Sequence, residues 1–201
     1  MSSSSSVFQR LPLAHATVDW CPDWLSPERA ETLFQTLLAD TLWDQPMYHF
    51  QGQSVAMPRL VAWHGDPQAR YGYSGVHHRP EPWTPALQAV RQELQTLLGV
   101  SFNSVLLNRY RTGKDSVAWH ADDERELGVH PVIASLSLGA SRSFAMKPKA
   151  GGPMSKWALP SGSLLVMAGA TQEHWLHQVP KTTQPVGERI NLTFRHVRPS
   201  R

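Results

Sequence analysis

In five stretches in the second half of the chain the period of polar and apolar residues shifts toward two: SVLLNRYR (104–111), VIASLSLG (132–139), SRSFAMK (141–147), SGSLLVMAG (161–169) and RINLTFRHV (189–197). Gly, Pro and Asp separate them, as expected of short strands joined by turns. Successive side chains of a strand point to opposite faces, so none of these runs can bury its apolar half alone. They must pair and stack, which commits residues 101–197 to a β architecture.

The first half obeys a different period. SPERAETLFQTLLAD (26–40) opens with Ser26 as N-cap and Pro27 at the first helical position, and puts Ala30, Leu33, Phe34, Leu37 and Leu38 on one stripe. TPALQAVRQELQTLLG (84–99) repeats the grammar with Thr84 and Pro85, an apolar face of Leu87, Val90, Leu94 and Leu97, and Gly99 as the stop. Two helices followed by many strands predict a single α+β domain over 21–201, its helices covering one face of a sandwich or open barrel. Residues 45–82, broken by Pro58, Pro80 and Pro82, are expected to be irregular loops and hairpins, and residues 1–20 a flexible segment.

Composition narrows the setting. Of 201 residues 41% are hydrophobic, enough for a substantial core. Cys21 is the only cysteine, which excludes an intramolecular disulfide and a cysteine-based zinc site and suits a reducing cytoplasm. MSSSSSVFQR has no apolar signal core and no stretch approaches 18 apolar residues, so no membrane association is expected, and the chain reads as a monomer. Net charge is only +3, but most of the 19 basic residues are arginine, which suits planar contacts to phosphate or carboxylate.

AWHADDE (118–124) concentrates His120, Asp122, Asp123 and Glu124 in seven positions. On an extended backbone His120 and Asp122 project to the same side and can grip one ion. A third ligand is offered by His177 in WLHQVP (175–180). Two histidines and one carboxylate form the facial triad that leaves open positions on a non-haem iron. The competing reading is a polar turn without chemistry, since His-x-Asp arises by chance. His77, His78 and His174 read as surface or supporting residues rather than ligands.

ERINLTFRHV (188–197) aligns Arg189, Asn191, Thr193 and Arg195 on one face and Ile190, Leu192 and Phe194 on the other. Burying two arginines costs several kcal/mol unless an anion meets them, so this is either the solvent side of an edge strand or a ligand face. Asn108 and Tyr110 in NRY (108–110) offer further donors in the same sense. The arginines stand roughly 20 Å apart on an ideal strand. A small molecule with a carboxylate near each end, beside an open metal site, would satisfy both.

With MPR (57–59), YGYSG (71–75), FNSVLLNRYRTGKDSVAWHADDE (102–124), IASLSLGASRSF (133–144), GSLLVMAGATQEHWLHQVPK (162–181) and RINLTFR (189–195) in order, the chain resembles the AlkB-type Fe(II)/2-oxoglutarate dioxygenases over about 45–197. The resemblance implies a double-stranded β-helix, or jelly roll, over 101–197 with supporting N-terminal helices, and nucleotide-recognition loops over 45–82. It implies that His120, Asp122 and His177 ligate Fe(II), and that Asn108, Tyr110, Arg189, Asn191, Thr193 and Arg195 hold 2-oxoglutarate, with dioxygen as the second co-substrate. Arg189 would take the distal carboxylate and Arg195 the metal-side end.

The implied reaction is oxidative demethylation of alkylated nucleobases in DNA, such as 1-methyladenine and 3-methylcytosine, with single strands preferred. Such bases are cationic near neutral pH, which gives Asp123 and Glu124 a charge-pairing role. Tyr71, Gly72 and Tyr73 would line the wall against which the flipped base stacks, although YGYSG alone fits a turn with core-facing rings equally well. HFQGQSVAMPR (49–59) would form a probing hairpin, and Arg142, Lys147 and Lys149 could meet phosphates. An RNA demethylase, a non-catalytic nucleic-acid-binding module and a zinc hydrolase are the other readings the residues admit.

Overall fold

The computed structural model describes residues 7–50, 52–69, 71–73 and 76–198, and at 50, 71–73 and 76–78 the backbone alone. Its elements in chain order are β1 (Gln9–Arg10), β2 (Thr17–Cys21), α1 (Pro27–Asp40), β3 (Met47–Phe50), β4 (Gln53–Ala56), β5 (Leu60–Gly65), β6 (Tyr71–Tyr73), β7 (Val76–His78), α2 (Pro85–Leu98), β8 (Ser104–Tyr110), β9 (Val117–His120), β10 (Ile133–Gly139), β11 (Arg142–Pro148), β12 (Ser155–Leu159), β13 (Leu164–Ala168), α3 (Thr171–His174), β14 (Trp175–Val179) and β15 (Arg189–Arg195).

Both long helices begin where their caps predict. The Ser26 hydroxyl accepts from the Arg29 N–H and the Thr84 hydroxyl from the Leu87 N–H, each followed by proline at the first turn. Gly99 closes α2 in the left-handed region with φ of 66°, where a side chain would be strained. Ala30, Phe34 and Leu37 of α1 and Leu87, Val90 and Leu94 of α2 turn inward, against Val105, Leu107, Leu136, Leu138, Ile190, Leu192 and Phe194 of the sheet beneath.

That sheet has seven strands in the order β1-β2-β13-β10-β15-β8-β5, and its pairs are antiparallel; a second sheet of four runs β12-β11-β14-β9. Its far face meets the second sheet through Tyr110, Ile133, Leu165 and Met167 against Phe144, Met146, Trp175 and Val179. The result is the jelly roll with helices on one outer face. Because the large sheet is covered on both sides, its central strands are buried at nearly every position, and β15 is buried from Arg189 to Phe194. Gly139, at the end of β10 with φ of 78°, has no room for a side chain: a Cβ there would lie 2.7 Å from the Phe34 ring.

Two expectations need correction. The flexible segment assigned to 1–20 does not hold from Gln9 onward as a whole: β2 pairs with β13 along Thr17–Cys21, and Leu11, Leu13 and Val18 are core residues. The stretch 45–82 contains the expected hairpins, β3–β4 and β6–β7, but it also contributes a regular strand that was not expected: β5 pairs with β8 from Leu60 to Gly65 as the last strand of the large sheet. Pro58 and Pro80 flank β5 without entering it, so the ladder is intact. Among the described residues no helix is long and apolar enough to cross a membrane.

Candidate metal centre and co-substrate cavity

His120 ends β9 and His177 lies mid-β14, and the two are register partners across the small sheet. An irregularity in the pairing between His177 and Val179 breaks the ladder beside them. Their rings stand 4.2 Å apart, and Asp122 closes the group, its Oδ1 3.9 Å from Nε2 of His120. One ligand atom from each residue fits within 4.8 Å of the other two. This is a convergence of donors from two strands and a loop, and it disposes of the polar-turn reading of His-x-Asp.

The surroundings prepare these groups as ligands. Nδ1 of His120 is 2.8 Å from the Ala118 carbonyl, which leaves Nε2 for a metal. Burial pulls His177 down to about 4, so its ring is neutral at physiological pH, and its Nδ1 has no hydrogen-bond partner. Burial would raise the Asp122 carboxyl, but the charges of Arg195, His177 and His120 outweigh it and hold the group at about 2. Arg195 donates to Oδ1 at 2.8 Å, and the Asp122 N–H donates to Oε1 of buried Gln172 at 2.9 Å. Both buried ligands therefore already hold the protonation state that a divalent cation requires.

A cavity between the two sheets opens at this triad. Asn108, Tyr110, Asn191, Thr193 and Arg195 line it with Arg59, Leu106, Ser135, Phe144 and Met167. The register of β15 on β8 sets Arg189 opposite Tyr110 and Asn191 opposite Asn108, so two donor rows from adjacent strands share one wall. β15 is a central strand, which excludes the solvent-edge reading of its polar face. Nδ2 of Asn191 donates to Ser135 Oγ and the Leu136 carbonyl, and its Oδ1 accepts from Thr193.

Arg189 is not on the cavity wall. It lies behind Tyr110, 5.1 Å from that ring, 1% exposed, with one nitrogen donating to Ser137 Oγ. Its Nε and second terminal nitrogen have no partner. Unpaired buried guanidinium donors cost free energy, and a carboxylate is the group that satisfies such a fork. The donor set thus fits a small dicarboxylate anchored on a metal.

Asp123 is exposed, but Lys149 Nζ holds its Oδ2 at 2.9 Å; Glu124 is exposed beside it. The backbone of Tyr71, Gly72 and Tyr73 forms β6, paired with Val76–His78. The side chains of Tyr71 and Tyr73, like those of His77 and His78, lie outside the described residues. Arg142 cannot serve phosphates: it is 3% exposed and donates to the carbonyls of Thr112, Asp115 and Pro180. Lys147 lies 4.5 Å over the Trp119 ring. His174 is exposed, with its ring tilted at 45° against that of His15, and is not among the three grouped ligands.

Sequence reasoning missed four residues. Ser135 and Ser137, the small inward positions of β10, hold Asn191 and Arg189. Gln172 steadies the Asp122 backbone, and Arg59 donates to Oδ1 of Asn108 at 2.6 Å. The alternation in VIASLSLG marked the serines as a polar face but not as partners.

Comparison with known proteins agrees with this geometry. The 2OG-Fe(II) oxygenase superfamily matches residues 17–195. The bovine alpha-ketoglutarate-dependent dioxygenase alkB homolog 3 is 41% identical over 94% of this chain and 68% of its own length. The human protein of that name is 40% identical over 89% and 65%. The human DNA oxidative demethylase ALKBH2 is 38% identical over 73% and 59%. This chain thus spans roughly two thirds of these relatives. The solved structure of OsALKBH1, 17% identical, superposes on 94% of this chain and 100% of its own with a TM-score of 0.62, which supports the fold. The chain belongs to the 2OG-Fe(II) oxygenase superfamily and, within it, to the AlkB-type dioxygenases, which use Fe(II), 2-oxoglutarate and dioxygen.

Proposed function

We propose that this protein demethylates N-alkylated nucleobases, 1-methyladenine and 3-methylcytosine, in DNA, with single strands preferred, and that it acts as a monomer. The observation that carries the reading is one continuous site. Two buried, correctly protonated ligands and His120 open onto a cavity rich in donors and backed by an arginine with two unpaired nitrogens. Relatives named DNA oxidative demethylase favour DNA as the substrate.

In this reading His120, Asp122 and His177 hold Fe(II). Bound there with 2-oxoglutarate and dioxygen, the iron supplies oxidation of an unactivated C–H bond while the keto acid becomes succinate and carbon dioxide. Asn108, Tyr110, Asn191, Thr193 and Arg195 orient the keto acid, Arg195 at its metal-side end, and Arg189 takes the distal carboxylate beside Tyr110. Arg195 also neutralises Asp122, which keeps that carboxylate ionised without a proton to lose. Leu106, Phe144 and Met167 exclude water from the reacting atoms.

The base enters at the rim, where Tyr71, Gly72 and Tyr73 form its wall and Asp123 and Glu124 favour a cationic, methylated base over a neutral one. The N-hydroxymethyl product then loses formaldehyde and a proton, leaving the ring nitrogen of the plain base with its lone pair. In sequence the stretch HFQGQSVAMPR carries polar Gln51 and Gln53 around Gly52 and Phe50 as its one aromatic wedge, which favours single strands over an intercalated duplex.

The test is mass spectrometry of methylated single-stranded oligonucleotides incubated with protein, Fe(II), ascorbate and 2-oxoglutarate, with His177→Ala as control. Loss of one methylene mass, dependent on 2-oxoglutarate and absent in the control, is expected. Succinate without demethylation moves the substrate to RNA or other adducts. Binding without turnover makes the protein a non-catalytic module, and activity with zinc in place of iron makes it a hydrolase.

A further inference from the structure

The two asparagines of the cavity are wired in opposite senses. Asn191 spends its amide inside the fold, as donor to Ser135 and Leu136 and acceptor from Thr193. Asn108, 5% exposed and on the cavity wall, accepts on Oδ1 from Nε of Arg59 at 2.6 Å, and its Nδ2 donates to nothing among the described residues. Only one orientation of this amide is chemically possible. A guanidinium has five donors and no acceptor, so the atom of Asn108 that faces Arg59 must be its oxygen. The –NH2 group is then left on the other side.

Arg59 itself is unusual. It forms no ion pair with a carboxylate among the described residues, and its one further contact is to the Ser116 carbonyl at 3.5 Å. Burial pulls its pKa below the usual arginine value. The nearest carboxylate charge acting on this half-buried cation, Asp115, is already hydrogen-bonded by Arg111, and the bond to Asn108 is the shortest that Arg59 makes. It is held by backbone: the Ser116 N–H donates to the Pro58 carbonyl, and β5 starts at the next residue.

We infer that Arg59 is a positioning residue for the co-substrate: by occupying the oxygen of Asn108 it locks the carboxamide so that its N–H donors point into the cavity, at a carboxylate oxygen of the keto acid. This rests on the functional reading above. Without Arg59 the amide is free to rotate by a half-turn, presenting an oxygen that repels the anion in half of its states. Half-population of the wrong orientation lowers the apparent affinity about twofold, whereas losing the charge-assisted donor bond outright is worth about tenfold or more.

The experiment is anaerobic titration of 2-oxoglutarate into Mn(II)-loaded protein, followed by tryptophan fluorescence, with melting temperatures and Mn(II) affinity recorded for each variant. Arg59→Met is expected to weaken 2-oxoglutarate binding about twofold with Mn(II) affinity unchanged. Asn108→Ala should weaken it at least as much, and the double variant should be no worse than Asn108→Ala alone, since Arg59 acts through Asn108. Asn108→Asp keeps an oxygen for Arg59 but has no N–H, so it should bind as weakly as Asn108→Ala while melting like the wild type.

Additive losses in the double variant would mean that Arg59 meets the ligand itself, and unchanged binding in Arg59→Met or Asn108→Asp would mean that the amide is not used; each overturns the inference. If Arg59→Met does not fold, Asn108→Asp still decides. Wild-type protein that fails to bind 2-oxoglutarate would instead remove the functional reading on which this one stands.

Discussion

The two faces of β15 are made from alternate residues of one seven-residue strand, yet they answer to different demands. Ile190, Leu192 and Phe194 lie in an apolar core under the helices, where each contact gains by excluding water. Arg189, Asn191 and Thr193 are just as deeply buried but point between the sheets, where Arg189 keeps two donors without partners. Depth of burial therefore says little about purpose. One face is complete in the free chain, and the other is complete only with a ligand.

The sharpest way to break this contrast is to cut each face in turn. Phe194→Ala removes a fully buried ring packed near Phe102 and Trp83 and should cost about 3–5 kcal/mol of stability in chemical denaturation, with 2-oxoglutarate affinity of the remaining folded fraction little changed. Arg189→Met should do the opposite: loss of about 100-fold in kcat/KM for 2-oxoglutarate, equivalent to roughly 3 kcal/mol, with stability of the ligand-free protein unchanged or raised. A large drop in stability for Arg189→Met would mean that both faces are structural.

Acid sharpens the comparison at the triad. His177 sits at about 4 in the folded chain against 6.5 for a free histidine. The unfolded chain therefore takes up a proton first, and metal-free protein should lose stability as pH falls from about 6.5 to 4, by on the order of 3 kcal/mol. Asp122, lowered from 3.8 to about 2, adds a loss in the same direction below 3.8. Denaturant midpoints of chelator-treated protein across this range check it, and in His177→Ala the upper part of the slope should vanish.

The smallest effect belongs to the rim. Asp123→Ala should reduce discrimination between methylated and plain bases only a few-fold, because an exposed ion pair such as Asp123–Lys149 is worth about 1 kcal/mol or less. The check is competitive binding of the two oligonucleotides.

Legibility followed the range of the interactions. The helices were readable because their signals are local: Ser26 and Thr84 cap, Pro27 and Pro85 enter, Gly99 stops. The two faces of β15 were readable because alternation is local too. β2 was missed although TVDW alternates, because so short a run carries little signal and its strand state comes from pairing with β13 across more than a hundred residues. The triad was legible as His-x-Asp plus a distant histidine, but its convergence needed the register of β14 on β9. Arg142 was misread because a sequence displays a charge without showing the three carbonyls that absorb it. Arg59 was passed over for the matching reason, its partner lying 49 positions away.

The unpaired nitrogens of Arg189 reach beyond catalysis. A ligand that binds only the folded chain stabilises it in proportion to its supply, by about 2.7 kcal/mol at a hundredfold excess over its dissociation constant. A dicarboxylate that relieves a standing penalty in the interior therefore acts as a folding partner as well as a reagent. Where that dicarboxylate is scarce, a smaller fraction of the chain stays folded.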